Sequence, residues 1–192
     1  GTKKIKILGK DRLFSCKYKV MPDRIEAGTY ALSVMGCSGK IILENMSNDI
    51  CNHLIKIFTP LKCLSLKKEK NGSVLEVKKT KGKFIPIKIS TKEYPGFPTD
   101  LQAQLTAALL KSDGTSELKE NIFENRFMHI SELKRMGADI RLRGSKIKIK
   151  GVKQIFGAEV MATDLRASSS LIIAGLMAKG LTTVNRVYHL DR

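Results

Sequence analysis

Tyr94–Gln104 reads YPGFPTDLQAQ, and this stretch decides the fold because two kinds of structure meet in it. Pro95, Gly96 and Pro98 exclude a regular element at their own positions. Upstream, FIPIKIS (Phe84–Ser90) alternates apolar and polar residues as a strand does, and Pro86 within it marks an edge strand. Downstream, Leu101–Leu110 has helical composition, with Thr99 and Asp100 as two candidate N-cap side chains. Asp100 is therefore expected where a strand hands over to a helix N-terminus, the place where α/β folds bind ligands. The same position is also the one a helix cap occupies, and the residues alone leave both readings open.

Working outward, the junction recurs. PDRIEAGTYALSV (Pro22–Val34), PTDLQAQLTAALL (Pro98–Leu110) and ATDLRASSSLIIAGL (Ala162–Leu176) each place an Asp before an apolar helix rich in small residues: Asp23, Asp100 and Asp164. Each helix runs out near a glycine, Gly39, Gly114 or Gly180, and a strand-like run follows: KIILEN, TSELKEN and LTTVNR. The first two copies continue with a second helix, Asp49–Phe58 and Ile130–Met136, and then a hairpin. In the first hairpin Asn71-Gly72 suits a type I′ turn; in the second Gly144-Ser145 suits type II′, with Ile140, Leu142, Ile147 and Ile149 on one face. The unit is β-α-β-α-β-β, with boundaries near 20–91, 92–156 and a truncated 157–192. Residues 1–19 end a preceding segment, and GTKKIKIL reads as its last strand. Units of this length, with two helices each, do not fit the common solenoids; an α/β (α+β) domain in which the units share one core does.

Composition sets the remaining limits. The chain has 192 residues, 42% of them hydrophobic, enough for a buried core. Its longest uncharged apolar run, Ser168–Ala178, is too short to span a membrane. It opens without Met or a signal-peptide pattern and ends on HLDR, so a cytoplasmic segment of a longer protein is expected. Cys16, Cys37, Cys51 and Cys63 form no CxxC, and His53, His129 and His189 lie far apart, so reduced, mostly buried thiols are expected rather than a metal site. Cys37, ending a helix, is expected in the core. A net charge of +17 makes polyanions candidate partners, but the lysines are scattered, no aromatic residues interleave them, and there is no Trp. The residues themselves therefore argue against a dedicated nucleic-acid ligand.

Four arginines lie at or near the repeated joints: Arg24, Arg126, Arg166 and Arg192. A guanidinium matches carboxylate or phosphate, and a helix N-terminus favours the same anions. Individually, such arginines are as well explained by surface pairs with the neighbouring Asp residues. As a set at equivalent positions they point to a ligand carrying phosphate or carboxylate.

The words PDRIEAGTY, PGFPTDLQAQ, ENRFMHISELKRMGADI, GAEVMATDLRASSSLIIAGL and VYHLDR resemble the sugar-nucleotide branch of the enolpyruvyl transferase family, over essentially the whole chain. The shikimate-phosphate branch is not expected to carry ENRFMH or ATDLRAS in this form. The resemblance implies an inside-out α/β barrel domain of three β-α-β-α-β-β units, one domain of two. It implies transfer of an enolpyruvyl group from phosphoenolpyruvate to the 3-hydroxyl of UDP-N-acetylglucosamine, at the start of peptidoglycan synthesis, with no cofactor and no metal. Asp100 matches the residue that contacts the sugar hydroxyl and is the proposed base, Ile122 a backbone contact to the sugar nucleotide, and Arg192 a phosphoenolpyruvate ligand. Arg126, Asp164 and Arg166 match the polar lining of the cleft. The Cys- or Asp-bearing catalytic loop and the Lys-Asn pair belong to the family's other domain, so this chain is expected to be inactive alone, with that domain as its partner. A basic nucleic-acid-binding module and a non-catalytic paralogue are the competing readings.

Overall fold

The computed structural model describes residues 4–81 and 84–190. Around the opening stretch, the strand expected over Phe84–Ser90 is confined to its last three residues, and neither Thr99 nor Asp100 caps the helix that follows. β4 (Lys88–Ser90) pairs with only one neighbour and is an edge strand, and α3 (Gln102–Leu109) begins shortly after the prolines. Every residue of α3 is buried. A helix without a polar face belongs inside the molecule. α3 accordingly packs between α1 (Arg24–Cys37) and α5 (Leu165–Met177), which also touch each other. Small residues let these helices approach closely: a Cβ built on Gly28 would lie 2.5 Å from Leu101 Cδ1, and one on Gly36 would lie 2.6 Å from Met177 Sδ.

Three sheets flank this helical centre. The first has the order β1-β3-β2 (Lys40–Leu43, Leu75–Lys79, Leu64–Lys68), all antiparallel. The second has the order β4-β5-β7-β6, adding β5 (Thr115–Lys119), β6 (Asp139–Arg143) and β7 (Lys146–Lys150); β4 runs parallel to β5 and the other pairs are antiparallel. The third is the parallel pair β8 (Glu159–Met161) and β9 (Thr183–Asn185). The inner faces supply Leu75, Val77, Leu118, Ile140, Ile147, Ile149 and Val160 to one continuous core. Helices inside and sheets outside make the arrangement an inside-out α/β one. α2 (Asn48–Phe58), capped by Ser47, packs on β2, and α4 (His129–Arg135) packs on β6, β8 and α5.

Several expectations need correction. Asn71-Gly72 is not a two-residue turn: the last register pair is Lys68 with Leu75, and the Asn71 carboxamide accepts hydrogen bonds from Ser73 N and Oγ, which holds a wider loop with Gly72 at φ +71°. Gly144-Ser145 does join Arg143 to Lys146 directly, with Gly144 at φ +55°. Leu142 is exposed at the end of that hairpin, whereas Ile140, Ile147 and Ile149 are buried. Residues 4–8 form no strand, and Ile5, Ile7 and Leu8 are exposed. Thiol burial is mixed: Cys51 and Cys63 are buried, but Cys16 and Cys37 are exposed, Cys37 because α1 ends on it at the surface; all four are free.

Candidate functional site

The three repeated aspartates do different things. Asp23 caps α1, its carboxylate accepting from Ile25 N at 2.7 Å and Glu26 N at 3.4 Å. Asp164 caps α5, accepting from Arg166 N at 2.7 Å and Ala167 N at 2.9 Å. Asp100 caps nothing. Thr99–Leu101 forms a single 3₁₀ turn that places Asp100 inside the turn, and no side chain caps α3. The carboxylate left over by that geometry meets two guanidiniums: Arg126 Nη2 donates to Oδ1 at 2.6 Å, and Arg166 Nη2 lies 3.2 Å from Oδ2. Arg126 follows β5 in the chain and Arg166 opens α5, so the packing of α5 on α3 brings the second and third copies to one point.

Electrostatics follow from this geometry. Burial by itself would raise the Asp100 carboxyl, but the Arg166 charge, with the hydrogen bond and charge of Arg126, outweighs it, and the group lies below the usual carboxylate range. Asp100 is thus ionised at neutral pH, a strong acceptor and a weak base. The Arg126 guanidinium also donates through Nη1 to Thr99 Oγ1 at 3.0 Å and lies 4.9 Å from the Phe123 ring centre. Arg126 and Arg166 line an open cavity of about 690 Å³ together with Phe123, Glu124, Asn125, Asp164 and Leu165; Asp100 is not part of that lining but is bonded to both arginines. A larger groove of about 920 Å³ runs between Lys19–Met21 and β1, but it holds none of these groups.

Of the residues singled out in the sequence, Asp100, Arg126, Asp164 and Arg166 come together. Ile122 lies on the same loop as Arg126, and its N–H is committed to Glu120 Oε1 at 2.8 Å. Arg24 does not join the cluster: its guanidinium lies over the Tyr94 ring at 5.2 Å, beside buried His53. Arg192 lies outside the described residues. Two participants escaped sequence reasoning. Glu120 is buried and accepts four hydrogen bonds, from Thr91 Oγ1, Thr99 Oγ1, Ile122 N and Phe123 N. Its signal was parity, since Ser116, Leu118 and Glu120 share the inward face of β5 and its extension. His129 of the ENRFMH run is also buried; burial chiefly, opposed by the Asp164 charge and aided by Arg126, pushes its pKa down to about 4. No cluster of three or more potential metal ligands occurs among the described residues. None of their helices is long and apolar enough to cross a membrane.

The fold is that of the enolpyruvyl transferases. The enolpyruvyl transferase NikO from Streptomyces tendae superposes with a TM-score of 0.77 at 22% identity, covering 89% of this chain and 40% of that one. EPSP synthase from Acinetobacter baumannii does so with a TM-score of 0.59 at 18% identity, covering 87% and 40%. The family model for EPSP synthase (3-phosphoshikimate 1-carboxyvinyltransferase) matches residues 1–192, and the chain belongs to that family. In sequence it is 45% identical over 192 residues to the UDP-N-acetylglucosamine 1-carboxyvinyltransferase of Nitratidesulfovibrio vulgaris (strain DP4). It is 50% identical over 193 residues to that of Ruthia magnifica subsp. Calyptogena magnifica. Each match takes in all of this chain and 45% of the relative, so the chain spans less than half the length of these relatives.

Proposed function

We propose that this chain supplies half of a carboxyvinyl transfer site, in which Asp100 receives the 3-hydroxyl of UDP-N-acetylglucosamine. The observation that carries the reading is the Asp100 carboxylate held between Arg126 and Arg166 and spared from capping. Relatives at 45–50% identity bear the name of that activity. As the sugar oxygen bonds to the enolpyruvyl carbon of phosphoenolpyruvate, the hydroxyl proton passes to Asp100 and phosphate leaves. Arg126 and Arg166 keep Asp100 ionised and add positive charge where anionic groups arrive, Asp164 fixes the start of α5 beneath Arg166, and the Ile122 backbone meets the sugar nucleotide. Arg192 binds phosphoenolpyruvate. The rest of the site belongs to a second domain bearing the catalytic loop, and this chain, with units near 20–91, 92–156 and 157–192, is inactive without it. In the complete protein the reaction begins peptidoglycan synthesis in the cytoplasm and so serves cell-wall biogenesis, cell shape, the cell cycle and division.

The test is phosphate release from phosphoenolpyruvate with two acceptors. The complete protein is expected to release phosphate with UDP-N-acetylglucosamine and not with shikimate 3-phosphate, and the 192-residue chain with neither. Preference for shikimate 3-phosphate, absence of transfer by the complete protein, or appreciable turnover by the chain alone overturns the reading.

A further inference from the structure

Glu120 is the buried acidic residue of the second sheet, with 2% of its surface exposed, and no salt bridge compensates it among the described residues. A buried carboxylate is tolerated only when hydrogen bonds replace its hydration. Oε1 accepts from Thr91 Oγ1 at 2.7 Å, from Ile122 N at 2.8 Å and from Phe123 N at 3.2 Å. Oε2 accepts from Thr99 Oγ1 at 2.9 Å. That last bond has a directional consequence. A hydroxyl has one proton, and giving it to Glu120 turns a lone pair of the Thr99 oxygen toward Arg126 Nη1, 3.0 Å away. With Nη1 held there, the planar guanidinium presents Nη2 to Asp100 Oδ1. Glu120, Thr99, Arg126 and Asp100 thus form one chain of donors and acceptors, and the other oxygen of Glu120 anchors the loop carrying Ile122 and Phe123.

We propose that Glu120 is a positioning residue of the site: one oxygen orients Thr99 so that Arg126 is held on Asp100, and the other fixes the Ile122–Phe123 backbone. This rests on the reading of Asp100 as the hydroxyl-binding carboxylate, but its geometric part can be tested without turnover.

The test is the titration of the Asp100 carboxyl by NMR in the 192-residue chain, for the unchanged sequence, Glu120→Gln and Thr99→Val. The groups charged around Asp100 are Arg126, Arg166 and, through Thr99, Glu120. Removing the negative charge of Glu120 by itself would move the Asp100 titration downward, whereas releasing Arg126 moves it upward, so the two effects are opposite in sign. Both variants are expected to shift it upward, Thr99→Val with no change of charge at all, and Glu120→Gln to speed exchange of the Ile122 and Phe123 amides about tenfold or more. An Asp100 titration that stays in place or moves downward in Thr99→Val overturns the proposal, whatever the amides do; the same variant serves if Glu120→Gln does not fold. In the complete protein, Glu120→Gln is expected to lower kcat/KM for the sugar nucleotide about tenfold while leaving the KM for phosphoenolpyruvate unchanged. Upward shifts of Asp100 in a complete protein with no transferase activity would uphold the positioning geometry and overturn the proposed function.

Discussion

Arg166 reaches from the first turn of α5 to within 3.2 Å of Asp100 Oδ2, so one carboxylate is shared between the second and third copies of a repeated unit. Asp164, two residues earlier, is the counterpart of Asp100 in the repeat, yet it spends its own carboxylate on the backbone of the same helix. Two residues at equivalent positions therefore do complementary work, one fixing the helix end and the other receiving the guanidinium that the helix presents.

The first prediction concerns that carboxylate. In the complete protein, Asp100→Ala is expected to reduce turnover by about 10²- to 10⁴-fold, the range for loss of a general base. Its effect on stability should be about 1 kcal/mol, because the side chain is 36% exposed and its ion pairs are screened. Parallel kinetics and urea denaturation check this; a stability loss that accounts for the loss of turnover returns Asp100 to a structural role.

Arg126→Lys keeps the charge but not the fork. A lysine ammonium cannot replace both coplanar bonds, to Thr99 and to Asp100. A loss of about tenfold in kcat/KM for the sugar nucleotide is expected, an ordinary magnitude for one charge-assisted hydrogen bond. Arg135→Lys, at an exposed arginine 3.9 Å from Glu132, is the control and should change nothing. Equal kinetics for the two variants would remove Arg126 from the site.

His129 makes stability depend on pH. Its folded pKa is about 4 against 6.5 when unfolded, with burial the main cause. Below pH 6.5 the unfolded chain takes up a proton that the folded chain refuses, so stability falls as pH drops from 6.5 toward 4 and is unaffected by this group above that window. The loss at pH 5 should be about 2 kcal/mol. Urea midpoints at pH 7 and pH 5 measure it, and His129→Gln should flatten the difference; an equal slope in the variant would assign the pH dependence elsewhere.

The close helix contacts give an asymmetric pair of substitutions. Gly28→Ala places its Cβ 2.5 Å from a methyl of fully buried Leu101, which has nowhere to go, and should cost about 1–3 kcal/mol before any gain in helix propensity. Gly36→Ala meets the thioether of Met177, which can swing aside, and should be close to neutral. Thermal unfolding distinguishes the two, and equal shifts would contradict this account.

Much of the architecture was legible because it rests on local chemistry. Asp23 and Asp164 cap helices as their positions dictate, and the Gly144-Ser145 turn and the edge strand after Pro86 follow from backbone preferences alone. Asp100 was legible as a candidate but not in its mode of action. The 3₁₀ turn puts Asp100 inside the turn rather than at a cap, and its partners Arg126 and Arg166 come from distant parts of the chain that only the packed fold brings to it. Asn71-Gly72 failed for a different reason, since an Asn side chain that bonds its own loop competes with the tight turn. Glu120 was hidden because an acidic residue at a strand end looks like surface unless its parity with Ser116 and Leu118 is followed.

β1 lies at the margin of its sheet, whereas β5 is flanked on both sides, by β4 and β7. Beside β1 runs the 920 Å³ groove, with Ile42 half exposed along it. Such a margin is a template on which a strand from a neighbouring molecule can grow. What opposes that growth is the mutual repulsion of copies carrying +17 each. Colloidal behaviour is thus set by a contest between sheet margins such as β1 and the charge of the whole molecule. Added salt, by shortening the reach of that charge, shifts the contest toward association.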